Sequence, residues 1–513
     1  MNFQDVYTLE QALNLAPLPR LNTAEDRAEH AERQRRLLVA QEDERVMADW
    51  RQRHPEDVAY EQAYWARRRE EDTQRRRASR LDRRRRKALA NAQSDLVAAG
   101  GRSFFTPNHE RSTPTVTKSP PALIPPAGPT PRGTLSLSSI DKTAAGSGFV
   151  CLIQVFFPPS LSDARRDLGA AAAVAAMRDG FARALVPYYP VAGRIAPSGL
   201  AVDCTGEGIW FVEAAASCAL ADVDGLDCCP LPIPQKLLLP RPPPGEKLDG
   251  LIFMVQATRF TCGGFAVGII FRHAVFDGQG AAQFLTAVGE LARGLKAPSV
   301  APVWDRDAIP DPPGPLPGQV TELRLVTQVA DISAESIARV KDEFKQASAA
   351  STGEVCSTFD AVTAIVFKCR TLALASALPD DDTEVRVAFA DKQGRPGLRE
   401  AALAEVVGAV REAKGAVPAR FAGWMRGVEQ YDVPPLDYGT VTLSDWSRLG
   451  FDEVDYGFGA PGYVSPLNDH DNFIVQLHYV RPPAPRRGGV RVVLRCVEEP
   501  HAAAFAVELA KFA

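Results

Sequence analysis

From about residue 149 onward, stretches with two kinds of apolar spacing alternate along the chain. Phe149 to Phe157 is a nearly unbroken apolar run, the pattern of a strand covered on both faces. Leu168, Val174, Met177, Phe181 and Leu185 then recur at helical spacing, which predicts a helix over Asp163 to Leu185. Tyr188-Tyr189-Pro190 ends it, and Ala201 to Asp203 and Gly208 to Val212 read as short strands around a Thr205-Gly206-Glu207-Gly208 turn. Phe265, Val267, Ile269 and Phe271 alternate within a buried strand that runs into Arg272-His273. A helix follows, with Phe284, Leu285, Val288 and Leu291 on its inner face. Further strands are predicted at Thr321 to Val329, Val385 to Ala390, Phe473 to Val480 and Val490 to Val497. Helices are predicted at Ala334 to Ala347, Asp360 to Leu372, Arg399 to Lys414 and from about Pro500. The fold class is α/β with mixed strand and helix order.

The first part of the chain does not follow this alternation. Thr23 to Asn91 is dense in Arg and Glu, with runs such as Arg67-Arg68-Arg69-Glu70-Glu71-Asp72 and Arg83-Arg84-Arg85-Arg86-Lys87. Too few apolar residues occur there to build a core, so residues 1–111 are expected to form a charged helical or disordered extension. Arg83 to Lys87 matches the pattern of a nuclear-import or nucleic-acid patch, and equally one solvated face of a charge-laced helix; the composition favours the second. Thr113 to Arg132 is proline-rich and expected to stay extended, because proline fixes φ and removes a donor. A second proline cluster within 301–318 reads as a crossover between halves. The expected organisation is therefore an extension (1–111), a first domain (112–300), the crossover (301–318) and a second domain (319–513).

Charge and cysteine content narrow the setting. The net charge of the 513-residue chain is −4, and 45% of its residues are hydrophobic, so nothing in the overall balance calls for nucleic-acid or membrane partners. Nine cysteines are spread without a CxxC pair, which suits reduced thiols. No cationic start followed by an apolar stretch opens the chain, and the longest apolar run, Leu251 to Phe271, is interrupted by Arg259. A cytoplasmic monomer without membrane contact is the expectation. Of the remaining histidines, His30 and His54 lie in the charged extension, and His109 precedes the proline tether. His470 sits in the polar Asn468-Asp469-His470-Asp471 turn, and His478 and His501 fall on core or surface elements. None belongs to a metal-ligand set.

The candidate chemistry sits where the long apolar strand ends. His273 lies on a turn between that strand and the following helix, a placement that can present a ring to a cleft. Asp277 falls at the expected N-cap of the helix, where its carboxylate can accept from free amides and hold the loop. Gly278 and Gly280 permit tight turning and close backbone approach. An H-x-x-x-D pattern by itself is weak, and a satisfied core histidine would explain it as well.

The surrounding residues make it specific. Arg272-His273-Ala274-Val275-Phe276-Asp277-Gly278 resembles the H-x-x-x-D-G stretch of the plant BAHD acyl-CoA-dependent acyltransferases. Asp455-Tyr456-Gly457-Phe458-Gly459-Ala460-Pro461 resembles that family's D-F-G-W-G-x-P loop, with Tyr for Phe and Phe for Trp. Leu135 to Asp141, Tyr189 to Arg194, Val202 to Glu213, Ser357-Thr358-Phe359-Asp360 and Ser444-Asp445-Trp446 before Gly450-Phe451 agree in the same order.

The resemblance implies two chloramphenicol-acetyltransferase-like α/β domains with an active-site channel between them. It implies acyl-CoA as co-substrate with no bound cofactor and no metal, and a small alcohol or amine of plant secondary metabolism as acceptor. His273 would be the general base. Asp277, Gly278, Asp455, Gly457 and Gly459 would support the site without doing chemistry, and Trp446 and Phe451 would be core. The chemistry is self-consistent: a thioester is already activated, so the protein need only deprotonate the acceptor and hold the reactants together. Imidazole can accept that proton and return it to the departing thiolate. The proline-rich entry resembles the subgroup of alcohol acyltransferases like benzyl alcohol O-benzoyltransferase.

Two departures stand against the family pattern. The arginine that pairs with the H-x-x-x-D aspartate is replaced by Gln393 in Asp391-Lys392-Gln393-Gly394-Arg395, leaving Arg395 as the substitute. After Leu398 the chain passes straight into Arg399 to Lys414, without the strand that the family carries there. These departures support a second reading, a catalytically inactive homologue that binds a ligand or partner, or a truncated or misread product.

Overall fold

The computed structural model describes residues 114–144, 148–158, 169–229, 231–304, 306, 323–348, 355–374, 401–425, 438–439, 441–467, 475–482 and 488–513. All of them lie within one compact unit, Ser112–Ala513. The strand expected at Val385 to Ala390, together with Gln393, Arg395 and the chain around Leu398, lies outside the described residues, as does the charged extension.

The first half contributes β1 (Val116–Lys118), β2 (Ala122–Ile124), β3 (Thr134–Ser136), α1 (Ser139–Ala144), β4 (Phe149–Phe156) and α2 (Ala170–Ala184). It continues with β5 (Arg194–Ile195), β6 (Ala201–Asp203), β7 (Ile209–Ala216), α3 (Gln235–Leu238), β8 (Phe253–Arg259), β9 (Phe265–Arg272) and α4 (Gly278–Ala292). The second half adds β10 (Leu325–Ile332), α5 (Ala334–Ser348), α6 (Thr358–Ala373), α7 (Leu403–Met425), β11 (Val441–Asp445) and β12 (Tyr463–Leu467). It ends with β13 (Val475–Val480), β14 (Val490–Glu498) and α8 (Glu499–Ala510). Most of the apolar runs and helical stripes become the expected elements with ends shifted by a few residues, but the helix expected at Arg399 to Lys414 runs on to Met425, and β8, β11 and β12 form where no strand was expected. The helix Thr358–Ala373 starts two residues early because Ser357 and Asp360 form a capping box.

Two main sheets result. The larger runs β1-β7-β8-β9-β4-β12, with β2 also on β7; the other runs β10-β14-β13-β11, and β3-β6-β5 make a small third sheet. Strand β9 lies between β8 and β4, antiparallel to both, so all but its last residue is buried. Helices α2 and α4 cover one face of this sheet. They approach closely because Gly180 has no side chain: a Cβ there would lie 2.5 Å from the Val288 carbonyl oxygen. Around the contact, Phe181, Phe253, Phe271, Phe276 and Phe284 form a ring-on-ring core. The second sheet is covered by α6 and α8 over Val362, Ile365, Val366, Leu494 and Phe505.

The halves are interlocked rather than merely adjacent. Strand β12 comes from the second half of the chain, yet it pairs with β4 of the first sheet from Tyr463↔Val155 to Leu467↔Cys151. Arg491 at the start of β14 chelates Asp331 of β10 at 2.7 and 2.9 Å and also pairs with Asp227 of the first half. Burial alone would lower the Arg491 guanidinium, but its bonds to Asp331 and Asp227 outweigh that and hold it above the ordinary range.

Candidate active site

The end of β9 positions His273. Its backbone N–H donates to the Gly148 carbonyl at 3.3 Å, so the residue is held at the mouth of the β4–β9 pair. Val275 and Phe276 N–H groups donate back to the Arg272 carbonyl and close the turn. The His273 ring is partly buried, and its Nδ1 is buried without a hydrogen-bond partner among the described residues. A polar atom left that way costs about 1–3 kcal/mol, a penalty that functional sites commonly carry. Beside it, the Arg272 guanidinium lies 4.1 Å over the Phe149 ring and donates to the Asp249 carbonyl at 2.7 Å. Burial lowers the pKa of Arg272.

Asp277 sits where the sequence places it, at the N-cap of α4. Its carboxylate accepts from the Gly280 N–H at 2.6 Å while its own backbone stays extended. The side chain is exposed and has no ion-pair partner among the described residues. Arg395, the expected partner, is outside them. Gly278 allows a close approach: a Cβ there would lie 2.6 Å from Leu449 Cδ1, so the segment after β11 is seated on the first turn of α4.

The Asp455–Gly459 loop is set apart from His273, at the other end of α4. A Cβ on Gly289 would lie 2.6 Å from the Asp455 carbonyl oxygen, which also accepts from Arg293. With 1.5 Å of rise per residue, Gly289 is roughly 17 Å along the helix from Gly278. Asp455 Oδ1 accepts from the N–H groups of Gly457 (2.8 Å) and Gly459 (2.7 Å), and both glycines hold φ near +95°, which a side chain would resist. The loop is thus a brace built around one carboxylate.

The sequence reading did not single out Gln154. It is the one strongly polar residue of β4, fully buried, and that isolation was the available signal. Its amide donates to the Phe451 carbonyl at 2.7 Å, and its oxygen accepts from the Tyr456 hydroxyl at 2.9 Å. The aromatic exchange in the loop, Tyr where the family pattern has Phe, therefore has a partner. Tyr456→Phe is expected to cost about 1–3 kcal/mol by leaving the Gln154 oxygen unmatched. A urea midpoint for Tyr456→Phe equal to that of the parent would remove this pair from the account.

Trp446 and Phe451 are buried with their rings 5.1 Å apart and tilted, and the His478 ring is edge-on to Trp446 at 5.3 Å. They also line a cavity of about 550 Å³, together with Asp452, Tyr463, Arg481 and Val490; His273 is not among its lining residues. Arg481 bonds Asp452 at 2.7 Å, yet burial still raises the Asp452 carboxyl above its ordinary value. Burial, reinforced by Arg495, pulls His478 down to about 4. Between pH 6.5 and about 4 the unfolded chain binds a proton at His478 that the native state excludes, so stability falls as pH falls through that window. The contribution should reach about 1.4 kcal/mol per pH unit at its steepest. Denaturation midpoints of the parent and His478→Leu from pH 7 to 4 check this; parallel curves would refute it.

Among the described residues, no cluster of three or more His, Cys, Asp or Glu side chains could hold a metal ion, and no helix is long and apolar enough to cross a membrane. The Transferase family model matches residues 115–395. Acyl transferase 7 of Oryza sativa subsp. japonica is 40% identical, over 75% of this chain and 94% of its own length. A myricetin 3-O-glucosyl 1,2-rhamnoside 6'-O-caffeoyltransferase (AT1) of Crocosmia x crocosmiiflora is 35% identical, over 78% and 99%. Among solved structures, vinorine synthase shares the fold with a TM-score of 0.60 at 21% identity, over 78% of this chain and 98% of its own. The F. graminearum TRI101 protein, solved with ethyl coenzyme A, shares it with a TM-score of 0.57 at 15% identity, over 74% and 99%. The chain belongs to the BAHD transferase family and is an acyltransferase.

Proposed function

We propose that the protein transfers an acyl group from acyl-CoA to a hydroxyl or amine of a small plant metabolite, with His273 as general base. The observation that carries this reading is the His273 ring at the end of β9, whose buried Nδ1 has no hydrogen-bond partner among the described residues. In the reaction the imidazole takes the proton of the acceptor as its oxygen or nitrogen attacks the thioester carbonyl. The tetrahedral intermediate then collapses, the C–S bond breaks, and the imidazolium returns the proton to the CoA thiolate. Donor and acceptor are held together, so the rate gain comes from alignment as well as from proton transfer. Asp277 and Gly278 act on this only through position, by fixing the first turn of α4 behind the histidine loop. The Asp455–Gly459 brace holds the other end of the same helix. The relatives named for acyl and caffeoyl transfer support the donor chemistry, and the TRI101 structure with ethyl coenzyme A supports the nature of the co-substrate.

The full-length chain should release free CoA thiol from an acetyl-, benzoyl- or hydroxycinnamoyl-CoA only when an alcohol or amine acceptor is added. Mass spectrometry should then find the ester or amide product. Thiol release independent of every acceptor would indicate plain hydrolysis and contradict the proposal.

A further inference from the structure

We infer that Cys218 and Cys262 form a reversible dithiol–disulfide site, closed by a peroxide and opened by a thiol reductant. Strands β7 and β8 are parallel and in strict register from Trp210↔Met254 to Ala215↔Arg259. Beyond Arg259 the chain turns into β9, and this turn lays Thr261 and Cys262 against the residues that follow β7. Two contacts show that the chains stay together past the strand ends: the Thr261 N–H donates to the Cys218 carbonyl at 3.0 Å, and the Leu220 N–H donates to Cys262 Sγ at 3.5 Å. One bond ends on the Cys218 carbonyl and the other on the Cys262 sulfur itself, so the two side chains share one small region, as a disulfide with its Cα separation of about 4.4–6.8 Å requires.

The two thiols differ in a way that sets the order of events. Cys262 is exposed on the β8–β9 turn, whereas Cys218 is half-buried. Burial, then Asp222 and Cys262 itself, push the Cys218 thiol up. Cys262 is therefore the sulfur that meets the oxidant. Its thiolate attacks the peroxide O–O bond, giving a sulfenic acid and water. The Cys218 sulfur then displaces hydroxide from that sulfenic acid, which leaves as a second water. The net change is two thiols and one hydrogen peroxide to one disulfide and two waters.

The bridge has a structural consequence beyond the turn. Between Cys218 and Asp227, Asp224, Gly225 and Leu226 hold φ of 50°, 64° and 62°, a left-handed stretch that is strained at the two non-glycine positions. The segment is held at its far end by Tyr463, whose hydroxyl donates to the Gly225 carbonyl at 2.9 Å, and by the Asp227–Arg491 pair. A covalent tie at Cys218 anchors its near end, so oxidation stiffens the connection from the β7–β8 end of the first sheet to β12 at that sheet's edge and to β14 of the second sheet.

The test is to expose the reduced full-length chain to hydrogen peroxide, block free thiols, digest it and map linked peptides by mass spectrometry. The expected product joins the Cys218 and Cys262 peptides, weighs two hydrogens less than their sum, and disappears with dithiothreitol. It should be lost in Cys262→Ser and kept in Cys228→Ser, and the thermal midpoint of the parent should rise on oxidation and return on reduction. Accumulation of sulfinic or sulfonic acid at Cys262 without the link would overturn the inference, as would linkage of either residue to Cys228 or Cys229 instead. No reaction at either thiol would overturn it as well. All three results are read on the parent protein, so they do not depend on any variant folding.

Discussion

His273→Ala should lower kcat/KM for acyl transfer by about 10²–10⁴-fold, the usual worth of a positioned general base. It should do so with little change in thermal midpoint. The backbone N–H that ties residue 273 to the Gly148 carbonyl survives the substitution. The lost ring nitrogen has no partner among the described residues, so its removal orphans none of their donors or acceptors. Stability and activity are thereby separated, which is seldom possible for a half-buried residue. The measurement is acceptor-dependent thiol release by parent and variant at equal folded concentration, with circular dichroism melts alongside. A variant that keeps more than a third of parental turnover would end the assignment of His273 as the base.

Arg491→Ala carries the largest expected stability loss. Taking one partner from a buried ion pair costs about 3–5 kcal/mol. Here Asp227 and Asp331 are 25% and 31% exposed, and solvent can rehydrate them, so about 2–3 kcal/mol is expected. Arg491→Lys should recover only part of it, because an ammonium cannot reproduce the two-pronged bond to Asp331. Arg491 also joins β14 and β10 to the Asp227 turn, so its loss is felt in both halves of the chain. Urea titrations of both variants check the ranking. Equal midpoints for lysine and alanine would show that the paired geometry contributes nothing.

The elements of the fold were legible because each depends on nearby residues. A strand covered on both faces must be apolar throughout, as β9 is, and a helix packed on a sheet must repeat Phe284, Leu285, Val288 and Leu291 at its own period. The Asp277 cap was readable for the same reason, since it acts on an amide three residues away; the Ser357 cap is equally local but was not read, and the helix was expected to begin at Asp360. The histidine turn and the Asp455 loop were found through resemblance, since nothing in H-x-x-x-D alone distinguishes a base from a core histidine.

Sequence alone therefore determined the α/β class, most of the strands and helices, the two signature loops and the residues within them. Tertiary structure decided what those residues touch. That β12 crosses to the first sheet, that Gln154 meets Tyr456 across 302 positions, and that Arg491 spans the two halves are all long-range pairings. Close packing of Gly180 on Val288 and Gly289 on Asp455 is of the same kind. Such contacts arise when separate elements dock and bury shared surface, and the free energy of that docking has no local period to leave in the chain.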